Sequence, residues 1–376
     1  GVLVRPRLVG DSVVVDLEEY VRHLEFMRDE LGADRVDLPA LWIGHTDHTL
    51  PADARWLGRP IFANAELTAL NPAYEQPFRA YLAQLVKRLK DEGLFLDPSV
   101  RFFDEPNLDH EPTVNALRAL SKLMLEVEPA LTVANTATYP HPRLIDLCKL
   151  WVLHTDAWYP NLQHLETARR AGCRISVYNN AVNYPEHNPL RVRLWPWLLR
   201  KYQVDGTYSW WGTVCWRGEM ENPWTCGVGS SGVLLYPPRS LEEHGPIDSV
   251  RWELFREGLE DYGYLQLADE LAGKLRGLGS DKVQRVTTVY ELRGLAPDAA
   301  AGLESKTGNA TVIPVTFAGG VDDAAKDVKA VLDIARDGKT GGFDIGVAGA
   351  ASINRDFQEM SERDLQKGEA VGIVAA

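Results

Sequence analysis

The feature that most constrains the fold is a repeated alternation of strand and helix patterns between residues 16 and 271. Short runs of β-branched and aromatic residues are followed, several times in succession, by segments whose apolar residues have helical spacing. Such repeats place parallel strands in one sheet, and their usual closed form is a TIM-type (β/α)8 barrel. We therefore predict an α/β fold with such a barrel, incomplete at its amino end.

The individual elements follow from the same periodicities. The first helix has Asp16 as a candidate cap and Gly32 as a candidate stop. The predicted helices cover residues 16–33, 73–94, 113–130, 165–172, 190–203 and 249–271. The predicted strands lie within residues 34–42, 99–106, 131–137, 147–160, 174–180 and 204–214.

A change of composition divides the chain. Every tryptophan lies at or before Trp252, every histidine at or before His244, and no cysteine follows Cys226. Beyond Gly273 the sequence is rich in alanine, glycine, aspartate and valine. We predict a barrel domain at 1–272, a junction at 273–282, and a small α+β segment at 283–376. In that segment we expect a strand at 310–317, a helix at 322–335, a strand at 343–349 and a polar helix at 353–369.

Charge and cysteine content exclude several functional classes. The net charge of −13 argues against nucleic acid or an anionic membrane surface as the main partner. No C-x-x-C pair occurs, which disfavours zinc-finger and redox sites. Buried free thiols are the favoured interpretation of the four cysteines, and a disulfide between Cys215 and Cys226 stays open.

Two short motifs suggest a bound metal ion or a bound phosphate. His45, Asp47 and His48 could ligate a metal ion, but their loose spacing favours a polar loop. The "GVGSSG" stretch at 227–232 lacks the lysine and the strand–helix setting of a phosphate-binding loop. We therefore predict no metal and no cofactor.

Polar and aromatic residues cluster where the predicted strands end, which is the position of the active site in barrels of this kind. Aromatic rings with amide and carboxylate neighbours suit sugars, whose C–H faces stack on rings while their hydroxyls take hydrogen bonds. For any single aromatic residue in this set, the alternative interpretation is that its ring only covers the end of the barrel core and binds no ligand. The residues in question are Trp42, His45, Asp104, Glu105, Asn135, Asp156, Trp158, Tyr159, Tyr178, Asn179, Trp210 and Trp211.

Several motifs in this region resemble those of one known family. They include "FFDEP" at 102–106, "DAWYP" at 156–160, "VDGTYSWWGTVCW" at 204–216 and the closing "DSVRWELFREGLEDYGYL" at 248–265. In content and order, residues 17–271 resemble the catalytic barrel of glycoside hydrolase family 123. Members of that family are retaining β-N-acetylgalactosaminidases that use the 2-acetamido group of the substrate as nucleophile.

The resemblance implies a role for each member of the adjacent acidic pair. Glu105 is implied to act as general acid and then as base, and Asp104 to orient and stabilise the acetamide as the oxazolinium forms. Adjacent carboxylates fit poorly with the usual retaining mechanism, in which acid and nucleophile stand about 5 Å apart across the bond. They fit a substrate that carries its own nucleophile, and Pro106 can break the strand pleat so that both side chains reach the mouth.

The same resemblance suggests residues that bind the substrate. Tyr178 is the candidate partner of the acetamide carbonyl. The other candidates are Trp158, Trp210 and Trp216 for stacking on the sugar, and Tyr159 and Asn179 for its hydroxyls. Asn179 is equally compatible with a turn. The expected partner is a glycan or glycolipid that ends in N-acetylhexosamine.

The carboxyl-terminal segment resembles something else. "VTTVYEL" at 286–292 and the sequence from Phe343 onward resemble an extracytoplasmic domain of MMPL-type RND transporters. A membrane is expected as a partner only if this segment belongs to a real transporter, and an artefactual fusion is the interpretation we favour. The competing functional readings are a non-catalytic sugar-binding or inactive barrel, and a piece of a transporter gene.

The expected location follows from the resemblance and not from a targeting signal. The chain begins without methionine and shows no signal peptide, which we interpret as the start of a fragment or processed form. The family resemblance favours an extracytoplasmic or secreted protein.

Overall fold

The structure is a computed structural model of the 376-residue chain. It describes residues 4–10, 12–39, 48–155, 160–178, 187–208, 234–236, 238, 245–293, 296–303, 305, 310–338 and 344–375. The chain divides into two compact units, Gly1–Gly258 and Leu259–Ala376. The junction that the sequence places at 273–282 stays a prediction.

The first unit alternates strands and helices along most of its length. Its elements are β1 (Arg7–Val9), β2 (Ser12–Val14), α1 (Glu18–Asp29), β3 (Arg55–Trp56), β4 (Arg59–Pro60), α2 (Pro72–Asp91), β5 (Ser99–Val100), α3 (Glu111–Val127), β6 (Thr132–Ala137), β7 (Cys148–His154), α4 (Leu162–Arg170), β8 (Arg174–Tyr178), α5 (Leu190–Lys201), β9 (Gly206–Tyr208), β10 (Leu235–Tyr236), β11 (Ile247–Asp248) and the start of α6 (Val250–Arg276). The order confirms the predicted strand–helix alternation.

The central feature of this unit is a five-stranded parallel sheet. Its strands lie in sequence order, β5-β6-β7-β8-β9, and every neighbouring pair is parallel. An isolated parallel bridge between Asp37 and Ser99 extends the sheet beyond β5. Parallel strands in sequence order, joined by helices, are the arrangement of one half of a (β/α)8 barrel.

Contacts between β8 and the segment around β5 show that the sheet is curled. In a flat sheet these two strands would lie three spacings, about 14 Å, apart. Yet Arg174 at the start of β8 binds Asp97, and Tyr178 at its end binds Glu105. Arg174 also donates to Thr132 Oγ1 at 3.1 Å. The strands therefore wrap around a common interior, and the fold is α/β with a parallel half-barrel. Closure into eight strands stays a prediction.

The helices form where capping and apolar periodicity agree. In α2, the Asn71 side chain accepts a hydrogen bond from Ala73 N at 2.9 Å. Pro72 occupies the first turn, where a backbone N–H would have no acceptor within the helix, so the N–H that proline lacks is not missed. Residues spaced by about one turn then bury one face of the helix, namely Tyr74, Phe78, Tyr81, Leu82, Leu85 and Leu89. The prediction of this helix is confirmed.

One predicted strand is much shorter than the pattern suggested. Residues 99–106 were predicted as a strand, but β5 ends at Val100. Phe102 and Phe103 are buried without strand pairing, and the backbone turns before Pro106. Asp104 and Glu105, which lie between Phe103 and Pro106, are therefore in a loop. This agrees with the expectation that Pro106 breaks the strand pleat.

The second unit contains the rest of α6 and a small set of further elements. These are β12 (Val283–Val286), α7 (Val289–Arg293), α8 (Pro297–Ala301), β13 (Val315–Phe317), α9 (Val321–Asp337) and α10 (Ala350–Ala375). β12 and β13 pair antiparallel, and their apolar residues pack with Ala272, Leu275 and Val331. None of the helices in the described ranges has the length and apolar character needed to cross a membrane.

The helices predicted at 322–335 and 353–369 are confirmed by α9 and α10. The strand predicted at 343–349 is wrong for the described residues 344–348, which form neither strand nor bridge. Gly346 and Gly349 lie in this stretch, and glycine weakens a strand because it adds backbone entropy without a side chain to pack.

Candidate active site

The two adjacent carboxylates lie in the loop that follows β5, at the carboxyl end of the parallel sheet. Asp104 and Glu105 are both half-buried. Glu105 has φ of +49°, in the left-handed region that non-glycine residues rarely adopt. Such conformations persist only where the surroundings hold them, and they concentrate at functional sites. The backbone at this point therefore departs from the strand pleat, which would send neighbouring side chains to opposite faces.

Thr136 holds both members of the acidic pair through one hydroxyl group. Its Oγ1 accepts a hydrogen bond from Glu105 N at 2.8 Å and donates one to Asp104 Oδ1 at 3.0 Å. Thr136 lies on β6 and is only 4% exposed. A β-branched residue in a buried strand has little rotational freedom, so its hydroxyl is a fixed anchor for the loop.

Tyr178 reaches the site from the opposite side of the curled sheet. It is the last residue of β8, and its phenol donates a hydrogen bond to Glu105 Oε1. Burial, followed by the hydrogen bond to Glu105 and the nearby Asp104 charge, raises the pKa of Tyr178 well above its ordinary value. The phenol is therefore protonated at every working pH and acts as a hydrogen-bond donor.

Below these polar groups the interior of the half-barrel is apolar. Ala134, Leu150 and Val152 form one buried cluster with Tyr178. The strand registers pair Thr136 with Val152 and His154 with Tyr178, so these residues occupy the upper layers of the same face. The His154 ring packs edge-on against the Tyr178 ring, with centroids 5.0 Å apart. The carboxylates thus stand above an apolar floor, which limits their access to water from below.

The strand alternation decides which residue of β6 meets the carboxylates. The sequence interpretation named Asn135 at this strand end, but the structure brings its neighbour Thr136 to the acidic pair. Asn135 is 1% exposed, and no hydrogen bond to either of its side-chain polar atoms is found in the described part of the chain. Sequence reasoning missed Thr136 and His154, because the sequence does not show which face of each strand turns inward; in the structure the alternation along β7 puts Leu150, Val152 and His154 on one face, beside Tyr178.

The remaining predicted site residues lie outside the described residues, and their roles stay predictions. They are Trp42, Asp156, Trp158, Tyr159, Asn179, Trp210, Trp211 and Trp216, together with His45 and Asp47 of the metal hypothesis. His48 is described, and its carbonyl accepts a hydrogen bond from Asn107 N at 2.6 Å. Within the described ranges, no group of three or more histidine, cysteine or acidic side chains could hold a metal ion. Cys148 and Cys173 are buried free thiols.

The arrangement brings two carboxylates with different partners to one place. Asp104 is held through Oδ1 by Thr136, and Glu105 through Oε1 by Tyr178. Among the described residues, the second oxygen of each has no hydrogen-bond partner and can meet a ligand. One carboxylate can accept a hydrogen bond from an amide N–H while its neighbour exchanges a proton with an oxygen close by.

Comparison with known proteins gives matches for both parts of the chain. A family model described as the catalytic domain of glycoside hydrolase 123 matches residues 10–268. A model of the MMPL family matches residues 256–376. No protein of curated function shows significant similarity to the chain.

Among solved structures, the chain resembles a family 123 glycoside hydrolase from Clostridium perfringens, reported in a study of glycolipid glycan hydrolysis. The TM-score is 0.52 at 13% sequence identity, and the alignment covers 90% of this chain. It covers 58% of that protein, so the chain spans less than two thirds of its length. At this level of identity the likeness supports the fold.

Proposed function

Because the chain belongs to the glycoside hydrolase 123 family through its catalytic domain at residues 10–268, we propose that it is a retaining glycosidase acting on terminal β-linked N-acetylgalactosamine. In this proposal the 2-acetamido group of the substrate is the nucleophile. The observation that carries it is the placement of Asp104 and Glu105, adjacent in sequence, with both side chains held at the carboxyl end of one parallel sheet.

The adjacency of the carboxylates favours substrate assistance over a protein nucleophile. A double displacement needs an acid and a nucleophile about 5 Å apart on opposite sides of the scissile bond. Asp104 and Glu105 approach from one loop and share the anchor Thr136. An acetamido sugar offers its N–H and its glycosidic oxygen as neighbouring points, which suits two carboxylates on the same side.

In the first step the acetamide carbonyl oxygen forms a bond to C1 as the bond from C1 to the leaving oxygen breaks. Glu105 gives its proton to that oxygen, and Asp104 accepts a hydrogen bond from the acetamide N–H, which gains positive charge as the oxazolinium forms. In the second step Glu105 removes a proton from water, and the water oxygen forms the new bond to C1 as the bond from C1 to the acetamide oxygen breaks. The acetamide is regenerated, and the sugar leaves with its original anomeric configuration.

Two described residues prepare this chemistry. Thr136 fixes Asp104 Oδ1 and thereby aims the other carboxylate oxygen at the acetamide. Tyr178 is proposed as the hydrogen-bond donor to the acetamide carbonyl. Its phenol now donates to Glu105, so substrate binding has to replace that hydrogen bond. The same movement would free Glu105 to turn towards the leaving oxygen.

The proposal is tested with an aryl β-N-acetylgalactosaminide and two isosteric variants. We expect Glu105→Gln to lose turnover with aryl and sugar leaving groups alike. We expect Asp104→Asn also to lose turnover, while the variant still binds a thiazoline analogue more weakly than the wild type does. Unchanged turnover in either variant would contradict its assigned role. If the wild-type chain binds N-acetylgalactosamine but hydrolyses no acetamido glycoside, the non-catalytic alternative is correct.

A further inference from the structure

A second cluster of polar and ring side chains stands on the same end of the sheet, outside the acidic pair. We propose that Asp109, Tyr139, His141 and His164 form a subsite for a neutral, hydroxyl-bearing sugar unit on the leaving-group side of the scissile bond. The inference rests on the proposed function, and it adds the part of the substrate that lies beyond the cleaved sugar.

The topology brings the cluster to the rim of the half-barrel. Asp109 follows Glu105 by four residues in the loop after β5, and Tyr139 follows Thr136 by three residues in the loop after β6. His164 lies in the first turn of α4, which follows β7. The carboxyl ends of adjacent parallel strands meet at one edge of a sheet, so all three segments border the carboxylates.

The four side chains form one connected group around Tyr139. The Tyr139 phenol donates a hydrogen bond to Asp109 Oδ1 at 2.7 Å. Its ring centroid lies 6.1 Å from that of His141 and 6.1 Å from that of His164, with interplanar angles of 43° and 48°. Burial, aided by the hydrogen bond to Asp109, raises the pKa of Tyr139 to about 12, so the phenol is a constant donor at neutral pH.

The histidines supply hydrogen-bonding capacity that the described residues do not use fully. His164 Nδ1 is buried and has no hydrogen-bond partner in the described part of the chain. Buried polar atoms are nearly always paired, so this nitrogen can take a hydrogen bond from a ligand hydroxyl or from a water molecule. His141 Nδ1 accepts from Arg143 N at 3.2 Å, which leaves the proton of the neutral ring on Nε2.

The charge of the cluster selects the class of ligand. Burial and the neighbouring Arg143 lower the pKa of His141, so its ring is neutral near pH 7. Arg143 is itself bound to Glu111 and to Asn115 Oδ1. The remaining charge is the Asp109 carboxylate, which repels phosphate or carboxylate ligands. Neutral imidazole, phenol and carboxylate together exchange hydrogen bonds with sugar hydroxyls in both directions.

The test compares two substrates that share the cleaved sugar. One carries a flat aryl leaving group, and the other is the disaccharide in which β-N-acetylgalactosamine is linked to galactose. We expect Tyr139→Phe and His164→Gln each to lower kcat/KM for the disaccharide by at least ten times more than for the aryl substrate. Retained aryl hydrolysis shows that each variant is folded. Equal losses on both substrates would overturn the subsite.

A matched control lies two residues away on the same helix. Glu166 faces solvent and pairs with Arg170, so Glu166→Gln should change neither kcat/KM. A second measurement separates the subsite from the proposed chemistry: titration of the full chain with methyl β-galactoside, followed by imidazole NMR signals assigned with His141→Gln and His164→Gln. Saturable shifts of these signals support the subsite even if no glycoside is hydrolysed. Absence of shifts overturns it even if hydrolysis is observed.

Discussion

Replacing Thr136 with valine tests whether one buried hydroxyl holds the acidic pair in place. Valine keeps the shape and β-branching of threonine but removes Oγ1 and with it both hydrogen bonds, at 2.8 Å to Glu105 N and 3.0 Å to Asp104 Oδ1. The Glu105 N–H loses its partner in a half-buried loop, and the Asp104 carboxylate loses a charge-assisted bond.

The size of the effect follows from these two losses. Leaving a buried donor unpaired costs about 1–3 kcal/mol, and a hydrogen bond to a charged group contributes about 1.5–3 kcal/mol. The two share one hydroxyl, so their losses are not fully additive, and a combined figure of roughly 2–4 kcal/mol is reasonable. If the whole of this free energy is lost from the stabilisation of the transition state, kcat/KM decreases roughly 30- to 1,000-fold.

The assay is hydrolysis of an aryl β-N-acetylgalactosaminide by Thr136→Val and Thr136→Ser, measured across the pH range. Serine keeps the hydroxyl, so it should restore most of the activity that valine loses, and this separates positioning from packing. A valine variant within threefold of the wild type, with an unchanged pH profile, would refute the reasoning.

Two further predictions concern stability. A Cβ on Gly258 would clash with the Arg193 carbonyl oxygen, so we expect Gly258→Ala to lower the urea midpoint. A Cβ on Gly263 would have no atom within 4 Å, so Gly263→Ala should raise the midpoint slightly because alanine favours a helix. Burial raises the pKa of Tyr81 to about 12, above the value of 10 in an unfolded chain, so its contribution to stability is complete below pH 10 and is lost as the pH rises towards 12. Between pH 10 and pH 12 the urea midpoint of Tyr81→Phe should therefore fall less than that of the wild type. An identical fall would contradict a raised pKa of Tyr81 as the cause.

The sequence predicted those elements in which local signals agree with tertiary packing. The helix α2 has a capping asparagine, a proline in its first turn and one apolar face, and each signal favours the same structure. The predicted strand at 343–349 had apolar residues but also glycines, and in the described residues 344–348 no neighbouring strand pairs with it. Strand formation depends on a partner that a single segment cannot reveal.

The site was predictable to the extent that it depends on residue type. Asp104 and Glu105 stand out in the sequence as an acidic pair before proline, and Tyr178 as an aromatic residue at the end of a predicted strand, whereas the role given to Tyr178 came from a family resemblance. The role of Thr136 depends on which face of β6 points inward, and a shift of one residue exchanges it with Asn135. The contact between Tyr178 and Glu105 spans 73 residues and requires the sheet to curl, which no local pattern encodes.

The central claim is that the substrate's acetamide is the nucleophile, and fluorination of that group tests it most directly. Each fluorine withdraws electron density from the acetamide carbonyl oxygen and weakens it as a nucleophile, while Asp104 and Glu105 are unchanged. We predict that kcat/KM for aryl glycosides decreases steadily from the acetamide through the mono-, di- and trifluoroacetamide. A rate that is independent of fluorination would contradict the account, because a nucleophile supplied by the protein does not respond to that substitution.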